Sequence, residues 1–347
     1  MLSSRKLMKA VRFHEFGGPS VLQIDDIDEP TCKPNEVKIK IIASGINHLD
    51  IWVRKGLPWI NFPWILGSDG SGIIHEIGSN VSKWIVGDEV VVHPGYSCGN
   101  CKYCNNKNEN YCSNYGIMGE SCHGLQQEYI CVNPKQIIRK PSCLTFYEAS
   151  SMPLVFMTSW QMLVERAKLK KDEWVLIYGG TSGVGAAAIQ ISRYIQANII
   201  TTVGSEEKIN FTKSLGADFV INHSNPRWIN EVKSINRKFD VIFEHVGKAT
   251  WEKSISLLGK GGRIVTCGAT SGYEVNLDLR HLFFKQQSIL GSTMSNFNNF
   301  NLVMHKIKNG IFKPFIDSVF SIEDVAIAHQ KIENREHIGK VVLSFDK

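Results

Sequence analysis

The hydrophobic positions follow one pattern in the first part of the chain and another in the second. Up to about residue 95, apolar and polar residues alternate in short runs between turn-forming residues. This alternation predicts strands at residues 37–42, 70–77 and 89–92. From about residue 153, helical spacing alternates with short β-branched runs. The elements predicted there include a helix at 157–168 and strands at 219–221, 241–244, 263–267 and 288–291. This order is typical of a β domain followed by an α/β domain with a parallel sheet.

Residues 175–205 contain a strand, a glycine-rich turn, a helix and a second strand in succession. The turn holds Gly180, Gly183 and Gly185. A unit of this kind binds dinucleotides, because its glycines let the backbone turn tightly near a pyrophosphate and its helix N-terminus offers free N–H groups. A glycine-rich turn without a ligand is the alternative. The residues expected to contact the nucleotide in this turn are Gly180, Thr181, Ser182, Gly183 and Val184.

The end of the second strand bears on which nucleotide is bound. NAD-binding units usually place Asp or Glu there to hold the ribose 2′-hydroxyl. This strand instead ends in Gly204 and Ser205, and Lys208 lies one turn further on. A hydroxyl and an ammonium suit a 2′-phosphate, so these three residues favour NADP(H) over NAD(H). In a simpler interpretation, Ser205 caps the next helix and Lys208 is solvated, and both interpretations can hold together.

Four of the nine cysteines lie within one short segment, with two, two and seven residues between them. Four thiolates at this spacing can close a tetrahedron around Zn²⁺. Because four protein ligands leave no open coordination position, we expect one structural zinc here and no chemistry at it. An iron–sulfur site and a segment that has lost its metal are the alternatives. The predicted ligands are Cys98, Cys101, Cys104 and Cys112.

The composition narrows the class of protein. The 347 residues are 43% hydrophobic and 21% charged, which is ordinary for a globular enzyme of two domains. The net charge of +6 is scattered, so it fits an anionic cofactor and does not require nucleic acid. No apolar run approaches the roughly 20 residues that span a bilayer, and the N-terminus lacks the apolar core of a secretory signal. Bunched thiols favour a reducing compartment, so a cytoplasmic location is expected.

With these features placed, the chain resembles the medium-chain dehydrogenase/reductase superfamily over nearly its full length. The motifs that carry the resemblance are GSDGSG at 67–72, VGDEV at 86–90, the cysteine segment, SGVG at 182–185, LGAD at 215–218 and GGR at 261–263. The resemblance implies an α/β fold class with a GroES-like β domain and a Rossmann doubly wound parallel sheet. The implied domains are 1–153, with a zinc lobe at 98–112, then 154–293 for NADP binding, and 294–347 as a return to the first domain.

The departures from this pattern select a branch of the superfamily. Zinc alcohol dehydrogenases hold a catalytic zinc with a Cys, a His-Glu pair and a second Cys. The matching positions here are Asn47, Ser68 with Asp69, and about Leu154. An amide, a hydroxyl and an alkyl group are poor zinc ligands. The chain therefore resembles the quinone oxidoreductase and enoyl reductase branch. This implies transfer of hydride from NADPH to a small-molecule acceptor (a quinone, enal, enone or enoyl thioester) without a catalytic metal.

The resemblance also implies roles for individual residues. Asn47 is the leading candidate to stabilise the carbonyl oxygen on which negative charge develops, although its amide could instead satisfy buried backbone groups. Asp50 is expected to orient the helix that follows Asn47, and Thr158 to line the nicotinamide end. His48 is implied near the pyrophosphate, with a helix-surface histidine as the alternative. The remaining residues implied at the cofactor are His223, where relatives often place Tyr, and Val246, Gly268 and Ala269.

Two other functions remain open. The chain could be a zinc-dependent alcohol dehydrogenase with its ligands misaligned, or a non-catalytic relative that binds NADPH or RNA.

The resemblance also implies a homodimer, or a dimer of dimers, through the edge strand predicted at 288–291, because an unpaired edge invites a second strand. An aromatic set suggests either an apolar substrate pocket or a packing cluster. Its members are Trp52, Trp59, Phe62, Trp64 and Phe284.

Overall fold

The computed structural model of the protein describes residues 6–346, which form two compact units. The first unit contains the described residues up to Leu154 and those from Asn296 onward, and the second is Val155–Ser295. Residues 1–5 and 347, which fall in the predicted ranges 1–153 and 294–347, lie outside the described residues. Within residues 6–346, no helix combines the length and the apolar character that crossing a bilayer requires.

The strands and helices are numbered in chain order. The strands are β1 (Leu7–Phe13), β2 (Leu22–Asp28), β3 (Val37–Gly45), β4 (Trp64–Ile65), β5 (Asp69–Ile77), β6 (Glu89–Val92), β7 (Gly95–Tyr96), β8 (Gly116–Ile117), β9 (Tyr129–Val132), β10 (Ile137–Arg139), β11 (Trp174–Ile177), β12 (Asn198–Val203), β13 (Phe219–Asn222), β14 (Phe239–Glu244), β15 (Leu258–Thr266), β16 (Ser288–Gly291), β17 (Ile316–Ser321) and β18 (Lys340–Ser344). The helices are α1 (His48–Lys55), α2 (Lys102–Asn105), α3 (Phe146–Ser150), α4 (Pro153–Trp160), α5 (Gly183–Ile195), α6 (Glu207–Ser214), α7 (Trp228–Ile235), α8 (Trp251–Leu257), α9 (Leu279–Phe284), α10 (Phe297–Lys308) and α11 (Val325–Glu333).

The first unit is built around a seven-stranded sheet. Its strand order is β10-β6-β5-β3-β18-β17, with β9 also paired to β3, and a smaller sheet has the order β2-β1-β4. The C-terminal strand β18 runs antiparallel to β3, with Leu343 opposite Ser44. Val341 and Leu343 join Ile39 and Ile41 in the buried core, because alternate strand residues point to the same face. The last strand of the chain therefore lies beside the strand that leads into α1.

The second unit is a six-stranded sheet with all neighbouring strands parallel and the order β13-β12-β11-β14-β15-β16. This is the order 3-2-1-4-5-6 of a doubly wound sheet, in which two βαβαβ halves meet where the order reverses. The reversal lies between β11 and β14. The predicted α/β fold class with a doubly wound parallel sheet is confirmed.

Several elements differ from the sequence predictions, and three of them have a clear local reason. The helix expected at 157–168 begins earlier, at Pro153, and continues as a π-helix over Gln161–Arg166. Proline fits the first turn of a helix, where its missing N–H would have no partner. The strand expected at 263–267 starts at Leu258, because the glycine-rich residues before Arg263 form an irregularity inside β15 and not a loop before it. β17 was not predicted, since Asp317 interrupts its apolar pattern.

Candidate active site

Asn47 immediately precedes α1, and Asp50 lies in the first turn of this helix. Asp50 is fully buried, and its Oδ2 accepts a hydrogen bond from the Asn47 N–H at 2.7 Å. Its Oδ1 accepts one from the Gly67 N–H at 2.9 Å, which ties the helix to the loop before β5. Burial raises the pKa of Asp50 to about 6, although these two backbone hydrogen bonds act in the opposite direction. The expected role of Asp50 in orienting α1 therefore has a geometric basis.

A buried lysine lies beside Asn47. Lys340 begins β18 and is 5% exposed. Its Nζ donates to Ile46 O at 2.8 Å, to Asn47 Oδ1 at 2.5 Å and to Asp69 Oδ2 at 3.2 Å. An ammonium has three N–H donors, so all of them are used within this site. Lys340 was missed in the sequence, where its one signal is a charged residue at the start of an otherwise apolar strand.

The amide of Asn47 and the carboxylate of Asp69 complete this network. Asn47 Nδ2 donates to Asp69 Oδ2 at 2.9 Å and, more weakly, to Gly45 O at 3.4 Å. The second oxygen of Asp69 accepts the backbone N–H of Leu154 at 2.8 Å. Every polar side-chain atom of Asn47, Asp69 and Lys340 thus has a partner. The buried ammonium and carboxylate balance each other's charge.

The four positions that match the catalytic zinc ligands of zinc alcohol dehydrogenases can be tested against this geometry. Asn47 Oδ1 and Asp69 Oδ2 both serve the Lys340 ammonium. The Ser68 hydroxyl donates to Met118 O at 2.8 Å. Leu154 contributes only a backbone N–H. A second cation here would have to displace a positively charged group and would find no imidazole or thiolate. The donor set does not fit a zinc ion.

The aromatic residues of the first unit make several ring contacts and differ in exposure. Phe62 packs against Phe16, with ring centroids 4.8 Å apart, and both are about two-fifths exposed. Trp64 is buried against His123 at 4.8 Å, and Trp59 is half exposed. The ring of His48 lies 5.4 Å from that of Trp52 on the next turn of α1. The remaining member of the aromatic set, Phe284, belongs to the second unit, where it is exposed.

The structure brings the four predicted zinc ligands together. Their sulfur atoms all lie within 4.8 Å of one another, and Cys98 Sγ is 3.5 Å from Cys112 Sγ and 3.9 Å from Cys104 Sγ. A Zn–S bond of about 2.3 Å in a tetrahedron requires sulfur separations of about 3.8 Å. Backbone N–H groups of Asn100 and Cys101 lower the pKa of the Cys98 thiol to about 6, whereas burial raises that of Cys112 to about 11. The residues present fit a structural zinc.

The glycine-rich turn after β11 is closely packed. Gly179 has a φ of +60°, which favours glycine. A Cβ on Gly180 would lie 2.3 Å from Thr201 Oγ1, and one on Gly185 would lie 2.2 Å from Gly179 O. Gly180 is therefore required because the turn packs directly on β12. Ser182 caps α5, since its Oγ accepts the Gly185 N–H at 3.0 Å. Thr181, Gly183 and Val184 adjoin this cap, at the helix N-terminus that suits a pyrophosphate.

The residues predicted to select the nucleotide meet at the carboxyl end of β12. His223 Nε2 lies 3.6 Å from the position of a Cβ on Gly204. The backbone N–H of Lys208 donates to Ser205 O at 3.3 Å, which places both residues in the same turn. The nearby carboxylate of Glu206 accepts a hydrogen bond from Asn222 Nδ2 at 2.8 Å. The structure thus collects Gly204, Ser205, Lys208 and His223 at one strand end.

The residues predicted at the nicotinamide end lie on the loops after β14 and β15. Val246 O accepts the backbone N–H of Ser271 at 2.7 Å. A Cβ on the neighbouring Gly247 would lie 3.0 Å from Ala269 Cα, so the two loops are in contact. Gly268 is held by Thr266 Oγ1, which donates to its carbonyl at 3.2 Å. On α4, Thr158 is 5% exposed and its Oγ1 lies 3.8 Å from the weak acceptor Met294 Sδ.

Residues 33–142 match the alcohol dehydrogenase GroES-like domain, and residues 183–309 match the zinc-binding dehydrogenase family. The chain is 30% identical over 357 residues to the quinone oxidoreductase of Homo sapiens, and the match covers 99% of each chain. It is 30% identical over 363 residues to the crotonyl-CoA carboxylase/reductase of Cereibacter sphaeroides, covering 94% of this chain and 84% of that one.

Among solved structures, a protein described as an NAD-dependent alcohol dehydrogenase is 40% identical, with a TM-score of 0.94 and coverage of 98% of this chain and 100% of the other. These similarities extend over both units and confirm the predicted GroES-like domain and the family resemblance. The chain belongs to the zinc-binding dehydrogenases of the medium-chain dehydrogenase/reductase superfamily, in the quinone and enoyl reductase branch, and it is an NAD(P)H-dependent oxidoreductase.

Proposed function

We propose that this protein is an NADPH-dependent reductase of quinones or of activated C=C bonds in enones, enals or enoyl thioesters, and that it uses no metal at the reacting centre. The bound cofactor would supply the hydride. The observation that carries the proposal is the closed network of Lys340, Asn47 and Asp69. By the resemblance, two of its members, Asn47 and Asp69, match positions at which zinc alcohol dehydrogenases hold their metal. The names of the quinone oxidoreductase and crotonyl-CoA carboxylase/reductase relatives support this substrate class.

In this proposal, Asn47 orients and polarises the acceptor. Negative charge develops on the carbonyl oxygen of an enone or quinone as hydride arrives, and a preorganised donor stabilises that charge. The Lys340 ammonium polarises the Asn47 amide through Oδ1 and so strengthens its N–H donors. The N–H directed at Gly45 O is the more weakly bound at 3.4 Å. This N–H is the one that a substrate oxygen would engage.

We further propose that NADP(H) is preferred over NAD(H). Ser205, Lys208 and His223 offer a hydroxyl, an ammonium and an imidazole at the end of β12, where a 2′-phosphate would lie. The carboxylate of Glu206 is held by Asn222. The other proposed cofactor contacts are His48, Gly180, Thr181, Ser182, Gly183, Val184, Gly204, Val246, Gly268 and Ala269, with Thr158 at the nicotinamide end.

One structural Zn²⁺ is proposed at Cys98, Cys101, Cys104 and Cys112, on the strength of their sulfur separations. Such a thiolate site requires a reducing compartment, which supports a cytoplasmic location.

A second copy of the chain is the proposed protein partner, giving a homodimer or a dimer of dimers. Among the described strands, β16 is paired with β15 alone, so its outer edge is open. Exposed apolar residues lie nearby on α9 and the preceding loop, at 62% to 83% exposure: Tyr273, Leu279, Phe283 and Phe284. An open edge and apolar area together suit strand pairing between copies. Sedimentation equilibrium would test this, and a monomer at all concentrations would contradict it.

Alcohol oxidation is the second candidate function, favoured by the 40% identity to a structure described as an NAD-dependent alcohol dehydrogenase. The test is a screen of NADPH oxidation against quinones, enals and enoyl thioesters, with NAD⁺-dependent alcohol oxidation in parallel. Metal analysis of the same preparation should find one zinc per chain and turnover that survives chelation. Two zincs with chelator-sensitive alcohol oxidation would favour the second candidate. Tight NADPH binding without turnover of any acceptor would favour a non-catalytic role.

A further inference from the structure

Glu244 is a buried carboxylate at the carboxyl end of β14, with no exposed surface. Its Oε1 accepts the backbone N–H groups of Val246 at 2.7 Å and Gly247 at 3.1 Å. Its Oε2 accepts the Ser254 hydroxyl at 2.9 Å, and the Thr250 hydroxyl lies 2.9 Å from Oε2 and 3.0 Å from Oε1. All of these donors are electrically neutral. The carboxylate is thus fully hydrogen-bonded.

Among the described residues, Glu244 is not part of an ion pair. In the part of the chain that the structure describes, the ion pairs of the second unit join Arg263 to Glu173 and Arg280 to Asp278, and neither involves Glu244. Burial lowers the pKa of the adjacent His245 imidazole, although the hydrogen bond to Tyr178 and the charge of Glu244 act in the opposite direction. Its Nε2 lies 2.8 Å from the carbonyl of Tyr178, at the end of β11. The Glu244 carboxylate therefore lies at this strand end without an ion-pair partner among the described residues.

The position of this charge in the sheet decides what it faces. β14 pairs with β11, with Phe243 opposite Ile177, so Glu244 lies where the strand order reverses. Ligands of doubly wound sheets bind in the crevice at this reversal. The half of the sheet formed by β11, β12 and β13 binds the part of the dinucleotide whose ribose lies at the end of β12. The nicotinamide half then lies along β14 and β15. Glu244 supports the loop on that side through Val246 and Gly247.

We propose that Glu244 tunes the redox balance of the bound nicotinamide. The oxidised ring is a cation and the reduced ring is neutral, so a fixed buried anion stabilises the oxidised form selectively. Glu244 thereby makes NADPH a stronger hydride donor on the protein than in water. The inference rests on the cofactor assignment made above. Glu244 acts on the ring through its charge, and its hydrogen bonds to Val246 and Gly247 also support the loop after β14.

The neutral isostere Glu244→Gln separates charge from structure. In this variant, the amide oxygen can accept the N–H groups of Val246 and Gly247, and the amide nitrogen can donate to the two hydroxyls. Each hydroxyl keeps an acceptor for its own proton, since Thr250 Oγ1 lies 3.1 Å from Gly247 O and Ser254 Oγ lies 3.0 Å from Thr250 O. Thr250→Val is the matched control, because it removes a donor and leaves the charge.

The experiment measures Kd for NADPH by fluorescence titration and Kd for NADP⁺ by competition. The ratio Kd(NADPH)/Kd(NADP⁺) should fall by at least about threefold in Glu244→Gln, because a buried charge no longer favours the cationic ring. In Thr250→Val, the ratio should stay within about twofold of the wild-type value. A purely structural role would weaken both affinities together, and an unchanged ratio in Glu244→Gln overturns the inference.

If Glu244→Gln does not fold, Glu244→Asp carries the test, because it keeps the charge while shortening the side chain. The ratio Kd(NADPH)/Kd(NADP⁺) of Glu244→Asp should match that of the wild type, and a change in this ratio of more than about threefold overturns the inference. Failure of the wild type to bind either nucleotide would instead refute the cofactor assignment on which the inference rests. The two failures are therefore distinguishable.

Discussion

At the scale of single residues, Asp50 is the titratable group placed to affect activity near neutral pH. Its carboxylate holds two backbone N–H groups, and burial raises its pKa to about 6. Protonation weakens one of these hydrogen bonds and loosens the start of α1. We therefore expect kcat/KM to fall as the pH drops below about 6. Asp50→Asn should lower kcat/KM and remove this acid limb, because its amide cannot titrate. An identical acid limb in the variant would show that another group is responsible.

Lys340 is a second residue with a large expected effect. Lys340→Met would leave the Asp69 carboxylate buried without its cation, which typically costs about 3–5 kcal/mol. The free energy of unfolding from urea titration measures this loss. In the double variant Lys340→Met with Asp69→Asn, the unpaired charge is gone, so part of the lost stability should return. If the double variant is no more stable than Lys340→Met alone, the buried pair is not the source of the stability.

At the scale of elements, the turn between β11 and α5 depends on the absence of a side chain at Gly180. An added Cβ would lie 2.3 Å from Thr201 Oγ1, so Gly180→Ala must push the turn away from β12. Overpacking of this kind costs about 1–3 kcal/mol, and the displaced helix N-terminus should also raise the KM for NADPH. Thermal unfolding and steady-state kinetics check both effects.

Gly204→Ala serves as the stability control for this turn. Gly204 lies at the same carboxyl edge of the sheet as Gly180. The nearest atom to a Cβ added at Gly204 is 3.6 Å away, which is an ordinary contact. Its unfolding free energy should change by no more than about 0.5 kcal/mol. Equal losses in the two variants would show that close packing on β12 is not what requires glycine at position 180.

The sequence predicted most of these elements because their signals are local. The strand, turn and helix of residues 175–195 are encoded by an apolar run, four glycines and a helical stripe within one segment. The start of β15 was misplaced for a related reason. Gly259 and Gly262 indicate a loop in isolation, and only pairing with β14 makes them part of a strand. β17 similarly depends on β18 as its neighbour.

At the scale of the whole molecule, stability should decrease in acid. Burial lowers the pKa of His93 to about 4 and that of His329 to about 3, from an ordinary 6.5. Between each lowered pKa and the ordinary value of 6.5, each of these histidines binds more protons in the unfolded chain than in the folded one. The stabilisation is therefore fully present above about pH 6.5 and is lost as the pH falls towards 4 and then 3, by up to about 1.4 kcal/mol per pH unit and group. Asp50 acts in the opposite direction between its ordinary 3.8 and about 6.

Urea midpoints at about pH 7 and about pH 5 measure this effect. The double variant His93→Asn with His329→Asn should show a smaller loss than the wild type, because neither amide titrates. Asparagine can keep the hydrogen bond of His93 Nδ1 to Gly95 O and the acceptor that His329 Nδ1 offers to Arg54. An equal loss in wild type and variant would place the acid sensitivity in other groups.

The sequence by itself determined the two kinds of domain, the glycine-rich turn after β11 and the cysteine cluster. Each of these depends on residues close together in the chain, so periodicity and spacing report them directly. Only the tertiary structure decided what surrounds Asn47 and Asp69. Lys340 reaches Asn47 across 293 positions, and Leu154 reaches Asp69 across 85. Such contacts form because strands and loops distant in the chain become neighbours in the folded unit, and no local pattern records which charge will be buried beside which amide.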